Sequence, residues 1–134
     1  MSQENVEMVK RGIDAYNRRD IDNLTELTTV DFAWFPALPG TVEVEGYHGR
    51  AGVETYFAEI RSTWQELRVI GDEIRDLGDE RVLQLAQMRF RGRASGIMVE
   101  SELALLMTIR DGKIVRSEDY LSHADALKAV GLQE

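Results

Sequence analysis

Between Leu67 and Leu121 the chain reads as four successive strands, Leu67 to Leu77, Arg81 to Arg93, Ile97 to Ile109 and Lys113 to Leu121. They are separated by Gly78-Asp79, Ala94-Ser-Gly96 and Asp111-Gly112, short glycine-bearing turns of the kind that close antiparallel hairpins. Parallel neighbours would need crossovers of a dozen or more residues, and these turns leave no room for them. One antiparallel sheet is thereby dictated, and the rest of the chain has to cover it.

Most of that cover comes earlier in the sequence. A helix begins after Ser2, an acceptable N-cap, and runs to about Arg19, with Val6, Val9, Ile13 and Tyr16 on one face. Asp20 caps a second, short helix that buries Ile21, Leu24 and Leu27. Asp31-Phe-Ala-Trp-Phe-Pro36 follows as a short aromatic strand ended by its proline. Thr41 to His48 sets Val42, Val44 and Gly46 against Glu43, Glu45 and Tyr47, the alternation of a weak strand. From Arg50 a third helix carries Val53, Phe57, Ile60 and Trp64 on one face, with Tyr56 beside them. Ser122, with Asp125 three residues later, opens a last helix that stops at Gly131. Helices first and hairpin-linked strands afterwards make an α+β fold, with three main helices on one face of one sheet.

The third long strand separates inside from outside. Glu100 and Glu102 share one face, so the opposite set, Leu103, Leu105 and Met107, points into the core. Arg89, Arg91 and Arg93 share a face of the preceding strand, where they can pair across strands with Glu100 and Glu102. Leu106, with Ala104 and Thr108, leaves the outer face apolar enough to be covered by another chain.

Composition then narrows the chemistry. At 134 residues the chain is one domain, 1–134. It has no cysteine, which excludes disulfides, thiolate zinc sites and cysteine nucleophiles. His48 and His123 are too few for a histidine-rich metal centre, so no metal and no cofactor is expected. His48 reads as an exposed loop residue, and His123, in the first turn of the last helix, as neutral and exposed. A net charge of −8 argues against nucleic acid as partner. No apolar run approaches the ~20 residues of a membrane span, and the first residues lack a signal peptide's pattern; a cytoplasmic location is expected.

Several stretches together carry a family likeness: Ala15-Tyr-Asn-Arg-Arg-Asp20, Asp31-Phe-Ala-Trp34, Tyr47-His-Gly-Arg-Ala-Gly-Val53, Arg110-Asp-Gly-Lys-Ile-Val-Arg116 and Asp119-Tyr-Leu121. In that order and spacing the chain resembles the SnoaL-like (polyketide cyclase-like) branch of the NTF2-like superfamily. The resemblance implies a cone: a strongly curved, mixed or antiparallel sheet wrapped around three main helices plus a short C-terminal helix. It also implies an apolar pocket at the wide end and a homodimer through the outer sheet face. The superfamily hosts several chemistries, and each has to be matched by position. The ketosteroid isomerase tyrosine falls on Gly12, its base near Phe35 or Pro36 and its protonated Asp near Leu105, so that set is missing. Epoxide hydrolases place a base where Asp119 stands, but their Arg-x-Asp partner meets Gln87-Met-Arg-Phe-Arg91 here. Cyclases of this branch use an Asp as acid/base, a role open to Asp119.

Asp119 shares strand parity with Ser117 and Leu121, which turns it inward if Leu121 is buried. A register one residue off would turn Glu118 and Tyr120 inward instead. Tyr16 reads as core with a satisfied hydroxyl, or else as a phenol offered to a ligand. Trp34, Phe35, Tyr56 and Trp64 can wall a pocket together with Leu103, Leu105 and Met107. Two functions follow as expectations: cofactor-free acid/base chemistry by Asp119 on a small apolar molecule, or a non-catalytic binding or dimerisation module.

Overall fold

The structure, a computed structural model, describes residues 2–39, 41 and 43–132, with the side chains of Ser2 and Asp72 excepted. The expected strand position Val42 and the capping side chain of Ser2 lie outside what is described. Two helices, α1 (Ser2–Arg18) and α2 (Ile21–Leu27), lead into β1 (Thr28–Phe35), the two-residue β2 (Tyr47–His48) and α3 (Gly49–Thr63). The meander follows as β3 (Trp64–Asp76), β4 (Arg81–Gly92), β5 (Met98–Arg110) and β6 (Lys113–Tyr120), and α4 (His123–Ala129) comes last. The sheet order is β2-β1-β6-β5-β4-β3. All neighbours are antiparallel except β1 and β6, which run parallel.

Local chemistry sets the element ends. The Asp20 carboxylate accepts the Asn23 N–H at 3.0 Å and starts α2, and Ser122 Oγ accepts the Asp125 N–H at 3.2 Å and starts α4. At α3 the helical spacing overruns the helix: Trp64 is not its last inward residue but the first of β3, at φ −117 and ψ 132. The Trp64 indole donates to Pro39 O at 3.0 Å and meets the Phe90 ring edge-on at 4.7 Å, contacts an extended backbone presents and a helical one would not. Thr41 to His48 also departs from expectation. Only Tyr47 and His48 pair with β1, because Glu43 O accepts the Gly46 N–H in a turn and Gly46 takes φ 93.

Inside the curl, α1, α3 and the inner sheet face share one core in which Val9, Val53, Tyr56, Ile60, Val82 and Leu103 are all 3% exposed or less. Leu103, Leu105 and Met107 point inward as read from the sequence. The outer face is different from the expectation. Leu106 is 6% exposed, not open, because Ala126 and Leu127 of α4 cover it together with Leu83, Leu85 and Ala104. Over Leu106 and Ala104 the cover is the chain's own last helix.

The charged rows match in part. Arg89 lies opposite Glu100 and binds it at 2.8 Å, but Arg91 turns to Glu66 on β3 at 2.7 Å. Arg93 Nε donates to Arg61 O, and Glu102 accepts the His123 N–H at 2.8 Å. Exposed pairs of this kind contribute about 0–1 kcal/mol each, so they mark register more than stability. His123 is half-buried rather than exposed: its Nε2 lies 2.8 Å from Ala86 O and 3.2 Å from Leu103 O. His48 is exposed.

Gly52 sets how closely α3 seats on β2. A Cβ there would lie 2.6 Å from the Tyr47 carbonyl carbon, and backbone cannot swing aside as a side chain can. Gly52→Ala is expected to cost about 1–3 kcal/mol through overpacking, despite alanine's better helix propensity. A urea midpoint equal to or above the parent's would show that α3 can shift outward freely.

Candidate active site

A cavity opens between α1, α3 and the inner sheet face, bringing together Tyr16, Trp34, Tyr56, Leu103, Leu105, Met107 and Asp119. Two residues expected to join them do not. Phe35, next to Trp34 in β1, falls on the other strand face, where the Arg116 guanidinium sits 4.4 Å above its ring. Trp64, displaced into β3, lines a separate pocket. Ser117, Met88, Val69 and Phe32 line the cavity without having been singled out. The β4 alternation Ala86, Met88, Phe90 carried the signal for Met88, because those three share the inward parity.

Asp119 reaches the cavity through an irregularity in β6. Pairing with β5 jumps from Thr108↔Arg116 to Ile109↔Ile114, leaving Val115 as an extra residue. Ile114 therefore faces inward, and so do Ser117 and Asp119 beyond the bulge. Leu121, the guide to that face from sequence, lies past the strand and is 38% exposed. The inward placement is as the parity suggested; the reason given for it was not.

The carboxyl is held at both oxygens. Trp34 Nε1–H donates to Oδ2 at 3.0 Å and Ser117 Oγ–H donates to Oδ1 at 2.9 Å. Burial among apolar walls pushes its pKa up to about 7. The two hydrogen bonds favour the carboxylate and pull the other way, and the Glu118 charge adds a smaller upward push. Desolvation wins, and the group is poised to exchange a proton near neutral pH. Asp119 is half-buried and lines the cavity.

Opposite the acid stands a pair of phenols. Tyr16 and Tyr56 hydroxyls lie 2.6 Å apart, and burial raises both well above the ordinary tyrosine value. Two neutral phenols carry two protons but share one hydrogen bond, so one O–H is left over. Among the described residues no other partner receives it. Trp34 joins the two halves: its indole N–H holds Asp119, and its ring lies 4.0 Å from that of Tyr56. Arg19 sits over the outer face of Tyr16 at 5.3 Å.

The phenol pair predicts a non-additive result. Tyr16→Phe or Tyr56→Phe alone strands the remaining hydroxyl and is expected to cost about 1–3 kcal/mol. The double variant, which removes both groups, is expected to be more stable than the sum of the singles. Simple additivity in a denaturation cycle would mean that the two hydroxyls do not depend on one another.

The cavity holds about 680 Å³ counting its open mouth, but only about 60 Å³ admits the centre of a water molecule, so it is narrow. Its walls are overwhelmingly apolar, with Asp119 as the carboxylate and no arginine among the lining residues described. Gln87 and Arg89 are exposed on the opposite face, so no Arg–Asp pair is built inside. Among the described residues no group of three or more His, Cys, Asp or Glu is placed to hold a metal ion.

The sequence pattern of the SnoaL-like domain family matches residues 9–117. The chain belongs to that family. Solved structures place this SnoaL-like chain in the NTF2-like α+β fold. A Burkholderia pseudomallei NTF2-like protein of unknown function is 21% identical, at a TM-score of 0.79 over 93% of this chain and 95% of its own. TerC, co-crystallised with polyporic acid, is 19% identical at 0.79 over 96% and 98%. A candidate SnoaL-like polyketide cyclase from a Jannaschia species is 19% identical at 0.74 over 98% and 94%. At these identities the likeness speaks for the fold alone. Comparison with curated proteins finds no match. No described helix is long and apolar enough to cross a membrane.

Proposed function

We propose that this SnoaL-like chain binds a small, largely apolar molecule bearing a carbonyl or hydroxyl oxygen and moves a proton on it with Asp119, without a cofactor. The observation that carries the reading is a carboxyl poised near pH 7 in an apolar cavity that also holds a phenol proton with no acceptor among the described residues. Ionised Asp119 would take a proton from carbon next to a carbonyl. The Tyr16–Tyr56 pair would donate a hydrogen bond to the oxygen where negative charge collects. Aldol cyclisation and isomerisation begin with such a transfer, and in a hydration the same carboxylate would take the proton from the attacking water. The candidate polyketide cyclase and the polyporic acid complex among fold relatives support a ring-bearing ligand.

A second reading has its own support. Both Asp119 oxygens already accept hydrogen bonds from the protein, and no second acid faces it among the cavity residues described. A module that only binds the molecule fits that arrangement. Native mass spectrometry of protein from its own host, followed by epoxide, ketosteroid and polyketide surrogates with an Asp119→Asn control, separates the two. A retained ligand with no turnover supports the binding module. Turnover unchanged by the substitution ends the role given to Asp119.

The proposal includes a homodimer through the outer sheet face. It rests on the part α4 leaves open, where Ile70 and Met98 are exposed beside Arg89 and Glu100. Sedimentation analysis over a concentration series decides it.

A further inference from the structure

We propose that a second pocket, where the C-terminal ends of α1 and α3 meet the start of β3, binds a small dianion carried on a flat apolar group. Arg19, Arg61 and Arg93 line it, with Phe57 and Trp64 as its aromatic floor. It holds about 510 Å³ counting its open mouth, and no carboxylate is among the lining residues described. It is distinct from the cavity of Asp119 and does not depend on the function proposed there.

The arginines here differ from most others in the chain. Among the described residues, Arg11, Arg19, Arg61, Arg68 and Arg93 are the arginines with no carboxylate partner, and three of these five meet in this pocket. On a chain of net charge −8, such a grouping calls for a cause. Part of the cause is structural. Arg19 donates to Tyr16 O near the end of α1 and to Leu67 O in β3, each at 2.8 Å, and Arg93 Nε donates to Arg61 O near the end of α3 at 2.6 Å. Magnitudes show that this is not the whole of it. Two helix C-termini carry roughly −0.5 charge each, against three guanidinium charges, which leaves a surplus of roughly two positive charges.

Donors are left over as well. A guanidinium has five N–H groups. Arg93 commits one to the carbonyl bond described, Arg19 commits two, and Arg61 commits none among the described residues. The backbone bonds also fix two of the three heads in place before any ligand arrives, which lowers the ordering cost of binding. A phosphate or a pair of carboxylates supplies the charge and acceptor geometry for such a cluster, and a ring attached to it would lie against Phe57 and Trp64.

Isothermal titration with phenyl phosphate, phthalate and inorganic phosphate tests the site. The expected result is saturable one-to-one binding of one or both aromatic dianions, several-fold tighter than inorganic phosphate and weakening as salt is raised. Which aromatic dianion binds more tightly identifies the head group. An Arg61→Gln/Arg93→Gln double variant is expected to bind at least about tenfold more weakly while staying folded, its denaturation midpoint lowered only by the loss of the Arg93 bond to Arg61 O. Arg68→Gln, which removes an unpaired arginine elsewhere, is expected to change nothing. Absence of saturation, or equal losses in the Arg68 and Arg61/Arg93 variants, overturns the site. Inorganic phosphate binding as tightly as phenyl phosphate overturns the aromatic half of it.

Discussion

Asp119→Asn is expected to lower proton-transfer turnover by about 10²–10⁴-fold while leaving ligand binding within a few-fold. The substitution keeps shape and polarity. Ser117 can turn its hydroxyl to accept from the new amide, and Trp34 can still donate to the amide oxygen, so the cavity survives while the exchangeable proton is gone. In the parent, a step that uses Asp119 as base should rise with pH through about 7, and a step that uses it as acid should fall there. The stability of the fold carries the same signature with a fixed sign. In the folded chain the group is pushed from 3.8 up to about 7. Between those values the unfolded chain has released a proton that the folded chain keeps. The stabilisation is therefore complete below about pH 4 and is lost as pH rises towards 7. At about 1.4 kcal/mol per pH unit the loss reaches at most roughly 4 kcal/mol, an upper bound because the cavity is open at its mouth. The Asn variant lacks this term, so its denaturation midpoint relative to the parent should improve across that window. If the two profiles run parallel from pH 4 to 8, the raised carboxyl is not there.

Trp34→Ala is expected to cost about 3–5 kcal/mol, the largest stability loss of any single truncation considered. The indole is 8% exposed and touches the rings of Tyr16, Phe32, Tyr56 and Phe57, besides holding Asp119. Trp34→Phe separates the two duties. It keeps most of the ring packing and removes the N–H that favours the ionised carboxyl. The titration of Asp119 should therefore move upward with only a modest stability change. The pH–rate profile, or the carboxyl resonance of Asp119 followed by NMR, reads that shift. A Trp34→Phe profile that superimposes on the parent's would remove the indole hydrogen bond from the account of the site.

The parts of the fold legible in the sequence are those fixed by local chemistry. The glycine turns of the meander, the caps at Asp20 and Ser122 and the inward row of Leu103, Leu105 and Met107 each follow from residues close together in the chain. What escaped depends on residues far apart or on breaks in period. Nothing between Ile60 and Trp64 signals a helix end, since no glycine or proline stands there and the spacing of four continues. Tertiary contacts with Phe90 and Pro39 decide that Trp64 is extended. The cover over Leu106 was illegible because α4 is only seven residues long and its buried pair, Ala126 and Leu127, is too small to show a face. The bulge at Val115 has no residue signature, and it alone aligns Ile114 with Ser117 and Asp119. Tyr16, Trp34 and Tyr56 could be read in advance as cavity aromatics, whereas the exclusion of Phe35 and Trp64 and the arrangement around Asp119 could not.

The parallel pairing of β1 with β6 also fixes an order of events during synthesis. Trp34 and Asp119 are 85 residues apart in the chain, and β1 has no other neighbour in the sheet except two-residue β2. At ordinary ribosomal speeds, on the order of 4–17 s separate the emergence of one from the other. Throughout that interval Phe32, Trp34 and Phe35 form an aromatic strand with an unpaired edge, the kind of segment that holdase chaperones recognise and that aggregates when they are scarce. The β3–β6 meander, whose contacts are local, can form while β1 waits. The cavity around Asp119 is thus closed only after β6 emerges, with α4 alone still to follow, and the yield of folded protein should depend more on chaperone supply during translation than on the stability of the finished fold.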